Sequence, residues 1–377
     1  MDGNVHPRGG PGGTVPRFSW YNVFHTFTGI GGAHLELPGN CLTTAMGILP
    51  HTGIAAAMEA AFSVDIPFWP QLPRYSFYED MYVQVSEHFP GMVVDEEKLR
   101  IELEVGRFYE ELAAYAEKAG DEAFFRLSPR YSAALDAFLA RDLAAYPLIR
   151  GQSIGPVSFG FKIHDENLRP IIYNDDIRAF LYDFIARKAN AQYRQLAAKN
   201  PRAFVWMDEP GLEILFASFT GYPSNLAKED FRAFLDQLEG PRGVHLCGNP
   251  DWSFLLSGLD LDILSVDIFG NGPIFVRYTE EIAAFLARGG IISWGIVPTL
   301  TEELGAEDEK TLLGRLLTLW DYLHERGIDR ETVARRAWLA PARCCLVNAD
   351  GDRTVNRAFA TLRKLARDVR GYFGLPD

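Results

Sequence analysis

The chain has 377 residues, 47% hydrophobic and 23% charged, with a formal net charge of −13; this composition describes a globular protein with a sizeable core and excludes a disordered or fibrous one. No Lys/Arg-rich block offsets the negative balance, so nucleic acid and anionic membrane surfaces are excluded as electrostatic partners. No apolar run reaches bilayer length, the amino terminus carries no apolar signal segment, and the four cysteines are irregularly spaced, which predicts a cytoplasmic protein with reduced thiols.

Residues 1–40 are rich in Gly and Pro with aromatic interruptions and predict an irregular arm ahead of a single domain over 41–377. Eight short apolar runs follow, at 41–49, 66–72, 154–161, 203–210, 243–248, 262–270, 290–297 and 337–347. Strands buried on both faces read as continuous apolar runs, and intervening helices imply parallel pairing. Eight such units predict a (β/α)8 TIM barrel. Helical patterns at 95–120, 174–199 and 311–327 suit its outer ring, the last with Gly327 as a carboxy-terminal cap. The stretch from 73 to 143 separates the second and third runs and predicts a helical insertion after the second strand.

The active site of such a barrel lies at the carboxy-terminal ends of its strands, so the residue on which each run ends carries the functional information. The fifth run ends in His245 and Cys247, the sixth in Asp267 and the eighth in the pair Cys344 and Cys345. Strand residues two apart share a face, so His245 and Cys247 can grip one ion. With one of the adjacent cysteines they offer N, S and S to zinc, and Asp267 offers a displaceable oxygen. The alternatives are a packed strand end for the cysteines and a helix cap for Asp267. Asp208 and Glu209 end the fourth run and can bind an ammonium group or serve as acid and base. Gly47 allows close substrate approach at the first strand, His51 in the loop beyond it is a candidate catalytic residue with a merely solvated histidine as the alternative, and Trp294 on the seventh is a candidate pocket wall in contact with substrate.

Taken in order, "TTAMGILPHT", "IGPVSFG", "VWMDEPGL", "VHLCGN", "ILSVDIFG" and "LAPARCCL" resemble the catalytic barrel of cobalamin-independent methionine synthase. That group includes zinc methyltransferases working with corrinoid proteins, and uroporphyrinogen decarboxylase; this chain would be a divergent single-barrel member. The resemblance covers residues 41 to about 370. It implies a zinc-dependent methyltransferase acting on a homocysteine-like thiol, with His245, Cys247, Asp267 and Cys344 as metal ligands and Asp208 holding the substrate's amino group. Asp267 stands in for a glutamate, and the spacing after Pro341 leaves Cys345 as a rival to Cys344. Ile48 replaces a serine that helps hold the amino acid, and Val297 replaces a histidine implicated in transfer from folate. These departures point to a corrinoid protein or another methylated donor. The competing expectations are a metal-free lyase of the decarboxylase type and a ligand-binding barrel without turnover.

Overall fold

In the computed structural model of the chain, residues 36–215 and 221–376 are described; the expected arm lies outside them up to residue 35. Nine strands occur among these residues: β1 Leu42–Thr43, β2 Met92–Asp95, β3 Arg100–Leu103, β4 Ile149–Ile154, β5 Ala203–Asp208, β6 Arg242–Leu246, β7 Ile263–Asp267, β8 Ile291–Val297 and β9 Ala337–Pro341. Seven form one sheet in the order β1-β9-β8-β7-β6-β5-β4, parallel throughout. Helices intervene between successive strands from β4 onward, as parallel pairing requires. The sheet is curled. Phe204 on β5 and Trp338 on β9 bring their ring centroids within 5.3 Å, although β6, β7 and β8 lie between them in the sheet.

The second apolar run forms no strand of this sheet. Pro67 and Pro70 lack the N–H groups a ladder needs, and the run makes only isolated parallel bridges, Phe68 to Arg150 and Gln71 to Ile48. Those bridges touch both edges of the sheet. The amide of Arg150 donates to Pro67 O at 3.0 Å on one side, and that of Gln71 donates to Gly47 O at 2.7 Å on the other.

The third strand is displaced from its expected place. It occupies 149–154, and most of the run at 154–161 is the helix Pro156–Lys162 with proline in its first turn. Arg150 and Gln152 hide the strand from an apolar-pattern reading because their polarity is satisfied inside the curl. The buried Arg150 guanidinium donates to Gln152 Oε1 at 2.7 Å and to Ala45 O, and it lies 4.2 Å from the centroid of Trp206. Gln152 in turn donates to Gln71 Oε1.

The insertion between the second run and β4 also departs from expectation. It carries helices Met81–Ser86, Val105–Lys118 and Ala133–Leu139, but 92–103 is the antiparallel hairpin β2-β3. Val93, Val94 and Ile101 favour a pleated surface over a helix. The long helix expected at 174–199 is Asp175–Ala197, capped by the Asn174 side chain, which accepts from the amides of Asp176 and Ile177.

Lys188 on that helix is buried, with Glu87 Oε2 3.9 Å away. Burial lowers its pKa to about 8, and Glu87 only partly opposes the shift. From pH 8 up to the ordinary value of 10.5 the unfolded chain holds a proton that the native protein has released, so native stability rises with pH across this window. The melting temperature of the wild type relative to Lys188→Gln is therefore expected to climb over that range in calorimetry. A constant difference would show that Lys188 keeps its proton.

Candidate metal centre

The register of the parallel strands builds the site. Asp208 on β5 pairs with His245 on β6, His245 with Ser265 on β7, and Ser265 with Ser293 on β8, so these four side chains form one level of the curled sheet. Below them Trp206 packs on His245 with ring centroids 5.9 Å apart. His245 is buried, and its Nδ1 lies 2.8 Å from Ser265 Oγ. That contact leaves Nε2 directed at Cys247, 3.0 Å from its Sγ. A partner on one imidazole nitrogen that orients the other is the usual support of a metal-binding histidine.

β9 stops at Pro341, so Cys344 and Cys345 lie in the loop beyond it and not at the strand end where the sequence suggested them. The loop turns one of them towards Cys247. Cys344 Sγ is 3.3 Å from Cys247 Sγ, and the Cys344 amide donates to Cys247 Sγ at 3.2 Å. Cys345 is exposed. The ligand atoms of His245, Cys247 and Cys344 all fall within 4.8 Å of one another. One nitrogen and two sulfurs converging from two chain segments, the end of β6 and the loop after β9, fit a zinc ion and leave room for one further ligand.

The electrostatics favour a thiolate on Cys247. The hydrogen bond from Cys344 and the adjacent His245 hold the Cys247 thiol well below its ordinary pKa, although burial opposes them. Burial by itself would keep His245 neutral, yet the charges of Cys247 and Asp208 raise its pKa. Coupling to Cys247, together with burial, pushes the Cys344 thiol up.

The acidic residues divide into two roles. Asp208 is 2% exposed, its Oδ1 has no hydrogen-bond partner, and burial pushes its pKa up to about 7. Such a group can accept from a ligand entering the site. Glu209 is fully committed elsewhere. Its Oε1 accepts from the Val157 amide at 3.0 Å, and its Oε2 accepts from the Ser158 amide at 2.8 Å and the Ser158 hydroxyl at 2.6 Å. This carboxylate pins the start of the helix Pro156–Lys162. It does not join the metal-binding group. Asp267 caps the helix Ile268–Phe275 by accepting from the Gly270 amide at 2.9 Å, and its Oδ2 lies 3.8 Å from Arg343 Nε. Burial raises its pKa to about 6. It stands beside the His-Cys-Cys group without belonging to it.

Three other expected residues are packed into the interior. His51 is buried with Nε2 3.9 Å from Asp352, and burial lowers its pKa. A side chain at Gly47 would collide with that of Gln152, so the close approach this glycine permits is that of Gln152. Trp294 packs edge-on against Phe275 and Trp320, residues of the helices Ile268–Phe275 and Glu309–His324. It belongs to the layer between sheet and helices, while its neighbours Ser293 and Gly295 keep register with Ser265 and Asp267.

Sequence reasoning missed Ser265, whose trace is one polar residue in the apolar run "ILSV", and Arg150. It also missed Tyr82. This residue of the insertion stacks on Phe159 at 6.2 Å, and its hydroxyl, raised in pKa chiefly by burial, feels the charges of Asp208 and Cys344.

No protein-family model and no curated protein matches the chain. A solved structure described as a methyltransferase from Methanosarcina mazei is similar with a TM-score of 0.53 at 13% sequence identity, over 88% of this chain and 94% of that one. The likeness spans nearly the full length of both chains, and what they share is the fold.

Proposed function

We propose that this protein is a zinc-dependent methyltransferase that moves a methyl group from a corrinoid or other non-folate donor to a homocysteine-like thiol. The observation that carries the reading is the convergence of His245, Cys247 and Cys344 at one end of a curled parallel sheet. The fold likeness to a structure described as a methyltransferase agrees with it. We read the fold as a closed (β/α)8 barrel over 41–377, with the proline-interrupted second run as the eighth stave between β1 and β4. None of the described helices is long and apolar enough to cross a membrane, and a cytoplasmic location suits the free thiols.

His245, Cys247 and Cys344 would hold the ion, and Asp267 would lend an oxygen only by leaving the Gly270 amide and Arg343. When bound, zinc lowers the pKa of an acceptor thiol so that it is nucleophilic at neutral pH. The protein's own groups do the rest. Ser265 fixes the imidazole, the unpartnered Asp208 oxygen accepts from the substrate's ammonium, and the Trp206 layer beneath seals the site from water. Glu209 positions the strand end that carries Asp208. Ile48 and Val297 stand in place of the serine and histidine of methionine synthases, and on this ground we read the donor as lying outside the folates.

Metal analysis of the purified protein is expected to show about one zinc per chain. Methylcobalamin is expected to methylate homocysteine where methyltetrahydrofolate does not. Absence of zinc in protein prepared without chelators would overturn the reading, and turnover with folate alone would overturn the donor.

A further inference from the structure

We propose that Cys247 and Cys344 form a peroxide-sensitive redox pair that closes to an intrachain disulfide when the metal is absent. The inference needs only the arrangement of the thiols and stands whether or not the protein transfers methyl groups.

The two sulfurs are 3.3 Å apart, and the backbone amide of Cys344 touches Cys247 Sγ at 3.2 Å. An S–S bond is about 2.05 Å long, so the two sulfurs must close by roughly a further 1.2 Å, a movement we assign to side-chain rotation. Both cysteines are half-buried, so a small oxidant reaches them, whereas Cys41 is buried and donates to Ala334 O at 3.4 Å. His245 Nε2 at 3.0 Å and the Cys344 amide at 3.2 Å both flank the Cys247 sulfur, and we take it as the attacking one. Cys345 is exposed and adjacent to Cys344 in sequence; neighbouring residues do not bridge without strain, so it stays a free thiol.

The chemistry balances with hydrogen peroxide as the oxidant. The Cys247 sulfur attacks one peroxide oxygen, the O–O bond breaks, and the departing oxygen leaves as water once protonated, giving a sulfenic acid. The Cys344 thiol then displaces that hydroxyl, which leaves as a second water with the Cys344 proton, and the S–S bond forms. Two thiols and one peroxide yield one disulfide and two waters. A sulfur bound in this bond cannot ligate zinc, so oxidation and metal occupancy exclude each other. The site is thereby inactivated by peroxide and recovered by thiol reductants.

The test uses the full chain. Protein stripped of metal by a chelator is treated with one equivalent of hydrogen peroxide, its remaining thiols are alkylated, and its peptides are mapped by mass spectrometry. A Cys247–Cys344 link is expected, with Cys41 and Cys345 alkylated, and dithiothreitol should reverse it. Zinc added before peroxide is expected to slow the link at least about ten-fold. The Cys345→Ser protein should form the same link, and Cys344→Ser should not, with circular dichroism confirming that both variants fold. A Cys344–Cys345 link, a link lost in Cys345→Ser, or sulfinic acid on Cys247 in place of the bridge would overturn the proposal. Protein that binds no zinc yet forms the bridge would refute the metalloenzyme reading and leave this one intact.

Discussion

Replacing Cys247 with serine is expected to remove most of the bound zinc and to lower methyl transfer by at least about 1,000-fold. The size of the effect follows from the geometry. Cys247 is the hub of the group: its sulfur alone contacts both His245 Nε2, at 3.0 Å, and Cys344 Sγ, at 3.3 Å. A serine hydroxyl at this position stays protonated at neutral pH and is a poor ligand for a borderline-soft ion, leaving one nitrogen and one sulfur. Inductively coupled plasma mass spectrometry on the purified variant reads the metal, and transfer from methylcobalamin reads the chemistry. The melting temperature of the variant should no longer respond to added zinc, because an ion that binds only the native state stabilises it in proportion to ln(1 + [L]/Kd). The matched control is Cys345→Ser. That thiol is exposed and one residue too far along the loop, so its loss is expected to change zinc content and activity less than about two-fold. Full zinc in Cys247→Ser, or loss of zinc in Cys345→Ser, would break the assignment of ligands.

How much of this was legible in the sequence depends on where side-chain polarity is spent. β5 to β9 announce themselves because their residues are mostly apolar on both faces: the runs at 203–210, 262–270, 290–297 and 337–347 contain β5, β7, β8 and β9, and β6 begins one residue before the run at 243–248. β4 did not, because Arg150 and Gln152 satisfy one another inside the sheet, a pairing that exists only once distant segments meet. The apolar run just beyond it is a helix opened by Pro156, and a short apolar stretch does not distinguish helix from strand. The spacing of His245 and Cys247 did not by itself separate a metal site from a packed strand end; what singled them out was the company of two further cysteines and two carboxylate-bearing ends on other expected strands. Trp294 was not, since the face a strand residue takes depends on register with its neighbour, and only the pairing of Ser293 with Ser265 fixes Trp294 on the helix-covered side. Tyr82 belongs to an insertion whose fold has no periodicity to read. Cys344 needed the loop: three residues past Pro341, nothing local says which of two adjacent cysteines turns inward.

Glu209 is the residue on which sequence and structure disagree most, and the disagreement makes a second strong prediction. A catalytic acid or base would lose about 100- to 10,000-fold in turnover on conversion to glutamine, with the fold intact. The structure predicts the reverse pattern. Both oxygens of Glu209 are occupied by three donors from Val157 and Ser158, the Ser158 hydroxyl accepts in turn from the Gly211 amide at 2.8 Å, and the Glu209 amide donates to His245 O at 3.0 Å. The side chain therefore ties the loop after β4 to the loop after β5, next to the strand that carries His245. Removing it in Glu209→Ala strands buried amides and is expected to cost about 3–4 kcal/mol of stability. Glu209→Gln keeps one acceptor but turns an NH2 group towards an N–H donor, and is expected to cost about 1–2 kcal/mol. Burial pushes the Glu209 carboxyl up to about 8 while the three donors pull the other way. Urea unfolding of the zinc-loaded variants measures the cost, and kcat measured well below the melting range should fall less than about ten-fold in Glu209→Gln. If Glu209→Gln unfolds like the wild type while its kcat collapses, the carboxylate is catalytic and its grip on Val157 and Ser158 must open during turnover.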